Sequence, residues 1–266
     1  MLHATMISCW TPLLITLIAS ASRTANANPS APSSQPGMVP ETQPALSAEP
    51  LGETELNALL DRLKQEQDAL RTLLVEFSQE KHLSLFADVV RAEGFCLFRR
   101  PETVRFEFTA PYRSVLVAQG IQVAHFEHAG NQWERIRVNN PDVVRLVIGQ
   151  ISSWICGQFR NGSDIYSIAA FRDKDVLVRL TPRLQDLRRY ITAVEVRFEI
   201  ADKARVTSVT IREPNGDFTI LLFKRERRNI SLADELFDTT GPKPTPLPAA
   251  WVVSTQPTPE STGPKE

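Results

Sequence analysis

The stretch from Gly94 to Pro111 constrains the fold more than any other part of the chain. It reads as two short β-strands hinged at Arg100-Pro101. The second arm alternates, with Val104, Phe106 and Phe108 on one face and Arg105 and Glu107 on the other. Period-two alternation predicts a strand with one dry face and one wet face. The first arm is apolar on both faces, Phe95 and Leu97 on one, Cys96 and Phe98 on the other. Which of these turns inward is undecided by composition, and an Arg-Pro pair closes a greasy strand.

Composition narrows the class. The chain has 266 residues and a formal charge of -1, so no large basic field points to nucleic acid. Its 19 prolines outnumber its 11 glycines and gather at the two ends. Residues 1–27 pattern as a signal peptide: an apolar run from Met6 to Ala21, then Ala25-Asn26-Ala27 as a small-residue cleavage site. Residues 28–51 form a Pro-rich linker and residues 239–266 a disordered Pro/Thr-rich tail, both with little apolar surface to bury. The folded domain is predicted over residues 52–238. Export would leave Cys96 and Cys156, which could form one bridge or serve as two small buried hydrophobes.

Within the domain, Glu53 to Ala69 reads as an amphipathic helix with Leu56, Leu59, Leu60 and Leu63 on one face and Thr54 as a possible cap. Asn140-Pro141-Asp142 starts a second helix, apolar around most of its circumference and stopped by Gly157. Such a helix either fills a core or contacts lipid. From Ile165 the chain is nearly all strands, with an Asn215-Gly216 hairpin turn. The predicted architecture is a large antiparallel sheet with two helices against its concave side.

No catalytic constellation is present: the chain lacks a Gly-x-Ser-x-Gly elbow, a phosphate-cradling glycine loop and a His-Glu-x-x-His helix. No catalytic residues, metal ligands or cofactors are expected. His125 and His128 fall on opposite faces of a strand, as surface or edge residues. Glu195, Arg197 and Glu199 read as another wet face. Lys224, Arg225, Arg227 and Arg228 read as solvated charge, or else as a contact for anionic lipid.

Several of these pieces occur in an order that resembles the periplasmic outer-membrane lipoprotein carriers of the LolA type. They are Phe77-Ser78-Gln79, Gly94 with Phe98-Arg99-Arg100-Pro101, Phe106-Glu107-Phe108-Thr109-Ala110-Pro111, Leu116-Val117-Ala118-Gln119-Gly120, Leu180-Thr181-Pro182, and Asn215-Gly216 followed by Asn229 to Phe237. The resemblance implies a mainly β (α+β) fold, a large antiparallel sheet curved into an incomplete β-barrel and closed by helices over an apolar cavity. It implies a periplasmic, monomeric carrier that shelters lipoprotein acyl chains between inner and outer membrane. Its implied partners are acylated lipoproteins or other lipid, a releasing transporter of the ABC type and an outer-membrane acceptor. A carrier of another lipid on the same fold, or an envelope sensor, is the alternative. The resemblance turns Cys96, Phe98, Val104, Phe106 and Phe108 toward the cavity. It adds Val143, Val147, Ile148 and Ile151 from the second helix as lid, and makes Arg100 the latch of that lid.

Overall fold

The computed structural model describes residues 49–84, 88–138, 141–172, 174–200, 204–242 and 245. The predicted signal peptide and most of the predicted linker and tail lie outside them.

Eleven antiparallel strands make one sheet: β1 Thr72–His82, β2 Val90–Arg99, β3 Thr103–Ala110, β4 Ser114–Gln119, β5 Gln122–Ala129, β6 Gln132–Ile136, β7 Tyr166–Arg172, β8 Val176–Pro182, β9 Ala193–Ile200, β10 Ala204–Arg212 and β11 Phe218–Arg228. Their spatial order is β6-β5-β4-β3-β2-β1-β11-β10-β9-β8-β7, so the sheet is not closed. Two meanders meet where β1 pairs with β11, and the strands adjacent in sequence at β6 and β7 occupy opposite edges. The chain between those edges contains helix α2, Pro141–Ile155. Helix α1, Glu53–Gln67, precedes β1, and a single turn, α3 Gln185–Arg188, follows β8.

Both long helices cover the inner face. On α1, Leu59, Leu60 and Leu63 pack with Val178, Val196 and Phe198 from the β7–β10 half. On α2, Val144 and Ile148 pack with Phe77, Phe106 and Leu116 from the β1–β5 half. The N-cap of α1 lies two residues before the capping signal at Thr54: Gly52 is the N-cap, and Glu55 reaches back to accept its N–H.

Two glycines are dictated by close approach. A Cβ on Gly94 would stand 2.0 Å from the Glu107 carbonyl oxygen, at an irregularity between β2 and β3. Gly157 ends α2 with φ +69°, and a Cβ there would meet the Leu63 carbonyl at 2.5 Å. Gly157 N–H donates to Trp154 O and Gln158 N–H to Ser153 O, the paired bonds of a Schellman stop. The stop is thereby also the contact between the two helices.

The outer face departs from its sequence pattern. Arg105 and Glu107, expected to be wet, are 0% and 5% exposed. Residues 230–237 fold back over the outer face, so Leu74, Leu97, Val115 and Val117 pack against Leu236 and Phe237. Arg105 donates to Leu236 O at 2.7 Å and to Glu107 at 2.9 Å, and Glu107 accepts from the backbone N–H and hydroxyl of Thr245. Glu195 is likewise buried rather than solvated, held between Arg179 and Arg212 at 2.8 and 3.1 Å.

Candidate functional site

An apolar cavity of about 100 Å³, with an open side, lies between the two helices and the inner face. Helix α2 contributes Gln150, Ile151, Trp154 and Ile155, and the exit of α1 contributes Gln67 and Leu70. Strands supply the rest: Leu73 and Val75 of β1, Cys96 of β2, Phe106 of β3, Val194 and Val196 of β9, Val206, Val209 and Ile211 of β10, and Leu221 and Phe223 of β11. Trp154 and Tyr166 meet edge-on at 5.8 Å across one wall. Burial in this wall pushes the Tyr166 hydroxyl and the Cys96 thiol each up to about 12.

Two register shifts shape the wall. Between Val206 and Ser208 one extra β10 residue opposes β9, so Val206 and Val209, three apart, both line the cavity. Opposite Val75 and Phe77, β11 also slips; Leu221 and Phe223 line the cavity, and beyond the slip so do Glu226 and Arg228. One end of the hollow is therefore polar. Arg228 donates to Glu226 at 2.8 Å and to Ala204 O at 3.1 Å, while Gln67 donates to the same carbonyl at 3.0 Å.

The predicted cavity residues divide. Cys96, Phe106 and Ile151 line the hollow. Phe98, Val104, Phe108 and Ile148 share the inner face but are packed solid with each other and with α2. The side chains of Val143 and Val147 lie outside the described residues. The cavity sits further toward β9–β11 than the opening hairpin, and those strands' residues were missed. Their only sequence signal was the run of inward alternation at Val194, Val196, Val209 and Ile211.

Arg100 acts on α1 rather than on the centre of α2. Its Nη2 donates to Gln67 O at 2.9 Å, the last carbonyl of the helix, and its Nε to Leu70 O just beyond it, so a cation caps the exit of α1. Its own N–H donates to Arg71 O at 2.9 Å. Gln67 and Leu70 are themselves cavity residues.

Other expectations are corrected. His125 is 2% exposed, not a surface residue. Burial lowers its pKa to about 4, and its Nε2 has no hydrogen-bond partner among the described residues, the Glu127 carboxylate standing 3.6 Å away. The basic run is partly neutralised within the sheet, Lys224 by Glu93 at 3.1 Å and Arg225 by Glu76 at 2.7 Å. Cys96 and Cys156 are free thiols, both buried. Among the described residues no three His, Cys, Asp or Glu side chains gather to hold a metal, and no helix is long and apolar enough to cross a membrane.

An open antiparallel sheet, roofed by two helices around an apolar hollow with one polar end, is the architecture of a protein that holds a long apolar ligand. The chain belongs to the outer membrane lipoprotein carrier protein LolA family, whose model matches residues 68–240. Among solved structures it is similar to a DUF1329 family protein from Desulfovibrio piger, at 12% identity over 69% of this chain and 97% of that one, with a TM-score of 0.40. It is similar to a LolA superfamily protein from Nitrosomonas europaea, at 13% identity over 69% and 97%, TM-score 0.37. A third is the Mycobacterium tuberculosis lipoprotein LppX, at 11% identity over 68% and 99%, TM-score 0.38. None of the curated proteins matches the chain. Family and cavity together support binding of a lipid or lipoprotein.

Proposed function

We propose that the protein is a periplasmic carrier that takes up the acyl chains of a lipoprotein in the cavity between α1, α2 and the β9–β11 wall. It ferries them through water from a releasing transporter at the inner membrane to an acceptor at the outer membrane. The observation that carries this reading is the cavity itself, lined almost wholly by apolar side chains, in a member of a lipoprotein-carrier family. Its hollow of about 100 Å³ is smaller than the range of about 300–1,000 Å³ usual for ligand sites, so an acyl chain enters as the covering helices part.

The energetics fit the task. Each buried CH₂ contributes about 0.8 kcal/mol, so one chain of roughly 16 carbons gains about 13 kcal/mol on full burial. No acylated protein crosses water unshielded against a cost of that size. Release then requires that the empty state have stabilising bonds of its own, and the Arg100 bonds to the end of α1 supply a candidate set. Arg100 would thus be a latch, holding α1 rather than gripping cargo.

The test is uptake of a fluorescent acyl probe by the full chain, with native mass spectrometry of material carried through purification. Filling the hollow with Val209→Trp should abolish uptake. Equal uptake by that variant and the wild type would overturn the reading.

A further inference from the structure

A second cleft, sharing no lining residue with the apolar cavity, opens where three segments meet. Arg71 comes from the exit of α1, Arg100 and Glu102 from the β2–β3 turn, and Ser152, Ser153 and Gln158 from the end of α2. Arg71 spends one nitrogen on Asp68 O at 3.1 Å, and Arg100 spends Nε on Leu70 O and Nη2 on Gln67 O at the exit of α1. The remaining guanidinium N–H groups of both have no partner among the described residues. Ser152 is 3% exposed, yet its hydroxyl has no hydrogen-bond partner among the described residues. A buried hydroxyl left unsatisfied beside unspent donors calls for an acceptor.

The charge balance selects the kind of acceptor. Two guanidiniums face one carboxylate, Glu102. The nearby Asp68 carboxylate is engaged by Lys64 at 3.3 Å. The carbonyls at the end of α2 that would repel an anion are already occupied: Ser152 O by Cys156 N–H, Ser153 O by Gln158 N–H and Trp154 O by Gly157 N–H. At Cys156 burial pushes the thiol up, the field of Arg100 pulls it down, and Asp68 adds a smaller upward push.

We propose that this cleft binds a phosphate-bearing anion, and that the anion competes with the end of α1 for Arg100. Planar guanidinium forks match phosphate oxygens in pairs, and serine hydroxyls donate to the third. A phosphate that takes the Nε–Nη2 edge of Arg100 displaces the Gln67 and Leu70 carbonyls, and such occupancy loosens the segment that walls the cavity. The bonds to those carbonyls stabilise the empty state, and coupling of this kind is reciprocal, so anion and acyl cargo tighten each other's binding by one common factor. A phosphate at a membrane surface would then favour loading. This last step rests on the acyl-carrier reading; the anion site does not.

The test uses the full chain in three arms: calorimetric titration with inorganic phosphate, co-flotation with phosphatidylglycerol against phosphatidylcholine vesicles, and the affinity for a fluorescent acyl probe with and without either. Saturable phosphate binding that Arg71→Gln weakens about tenfold, while the exposed-arginine control Arg189→Gln does not, is the expected result. Binding of vesicles but not free phosphate would identify a headgroup as the source, and the reverse would identify the free ion. Absence of Arg71-dependent binding in both arms would overturn the proposal. If phosphate binds but no acyl probe is ever taken up, the carrier reading fails and the anion site stands. If the probe binds and phosphate does not tighten that binding, the competition at Arg100 is refuted.

Discussion

Replacing Arg100 with Leu separates a latch from a structural cap. The side chain makes two charge-assisted bonds, to the Leu70 and Gln67 carbonyls. Each such bond contributes about 1.5–3 kcal/mol when buried, and partial exposure of the guanidinium brings the pair to a net of about 2–3 kcal/mol. If loading cargo breaks both, that energy stabilises only the empty, closed state. Arg100→Leu should then tighten acyl-probe binding by roughly 30- to 150-fold, at about 1.4 kcal/mol per tenfold, and slow transfer to acceptor vesicles by a similar factor. Probe titration and stopped-flow transfer measure the two quantities, and thermal melting of the empty protein gives the third. A lowered melting temperature with unchanged affinity and transfer would refute the reasoning, because the bonds would then hold α1 equally in both states. Arg100→Lys, which keeps the charge but loses the planar fork, should fall between wild type and Leu in all three.

Three further outcomes follow from buried groups. Glu107→Ala strands Arg105 in the covered outer face and should cost about 3–5 kcal/mol in urea unfolding, whereas the double change to Arg105→Met with Glu107→Leu should be closer to neutral. Gly94→Ala drives a Cβ against the Glu107 carbonyl and should destabilise by about 3 kcal/mol or fail to fold, read by the same method. The pKa of His125 is pushed down from 6.5 to about 4 in the folded state, so its contribution is intact above the unfolded value and is lost as pH falls from 6.5 toward 4. Unfolding free energy should drop by roughly 2 kcal/mol between pH 7 and pH 5, and His125→Leu should flatten that slope.

The inner face was legible because alternation is a local property. Val104, Phe106 and Phe108 announce their common side within five residues, and the turn and stop signals at Asn215-Gly216 and Gly157 act within one turn of chain. The outer face was not. Arg105 and Glu107 look like any solvated pair until residues 230–237, more than a hundred positions later, fold over them. The same holds for Glu195, whose two arginine partners arrive from neighbouring strands, and for His125, buried on the face that α2 roofs. Side chains with charge are read as wet by default, and only tertiary pairing reverses that.

The position of the cavity was harder still, and the reason bears on function. Pattern assigns residues to a face, but a hollow forms where the covering helices fail to fill that face. Helix α2 packs solidly on β1–β5 through Val144 and Ile148, and α1 packs on β7–β10 through Leu59, Leu60 and Leu63. The space left over falls between them, along β9–β11. Two slips in strand register then decide which residues line it, turning both Val206 and Val209 to the apolar wall and carrying Glu226 and Arg228 to its polar end. The opening hairpin therefore supplies less of the cavity than its apolar character suggests: Cys96 and Phe106 reach the hollow, while Phe98, Val104 and Phe108 form the floor on which α2 rests. If α2 lifts when cargo enters, that floor becomes wall, and the hairpin's three packed aromatic and branched residues join the site. A hollow at the seam of two helices can grow by moving either one. Arg100, bound to the end of α1 beside the end of α2, stands where both movements must pass.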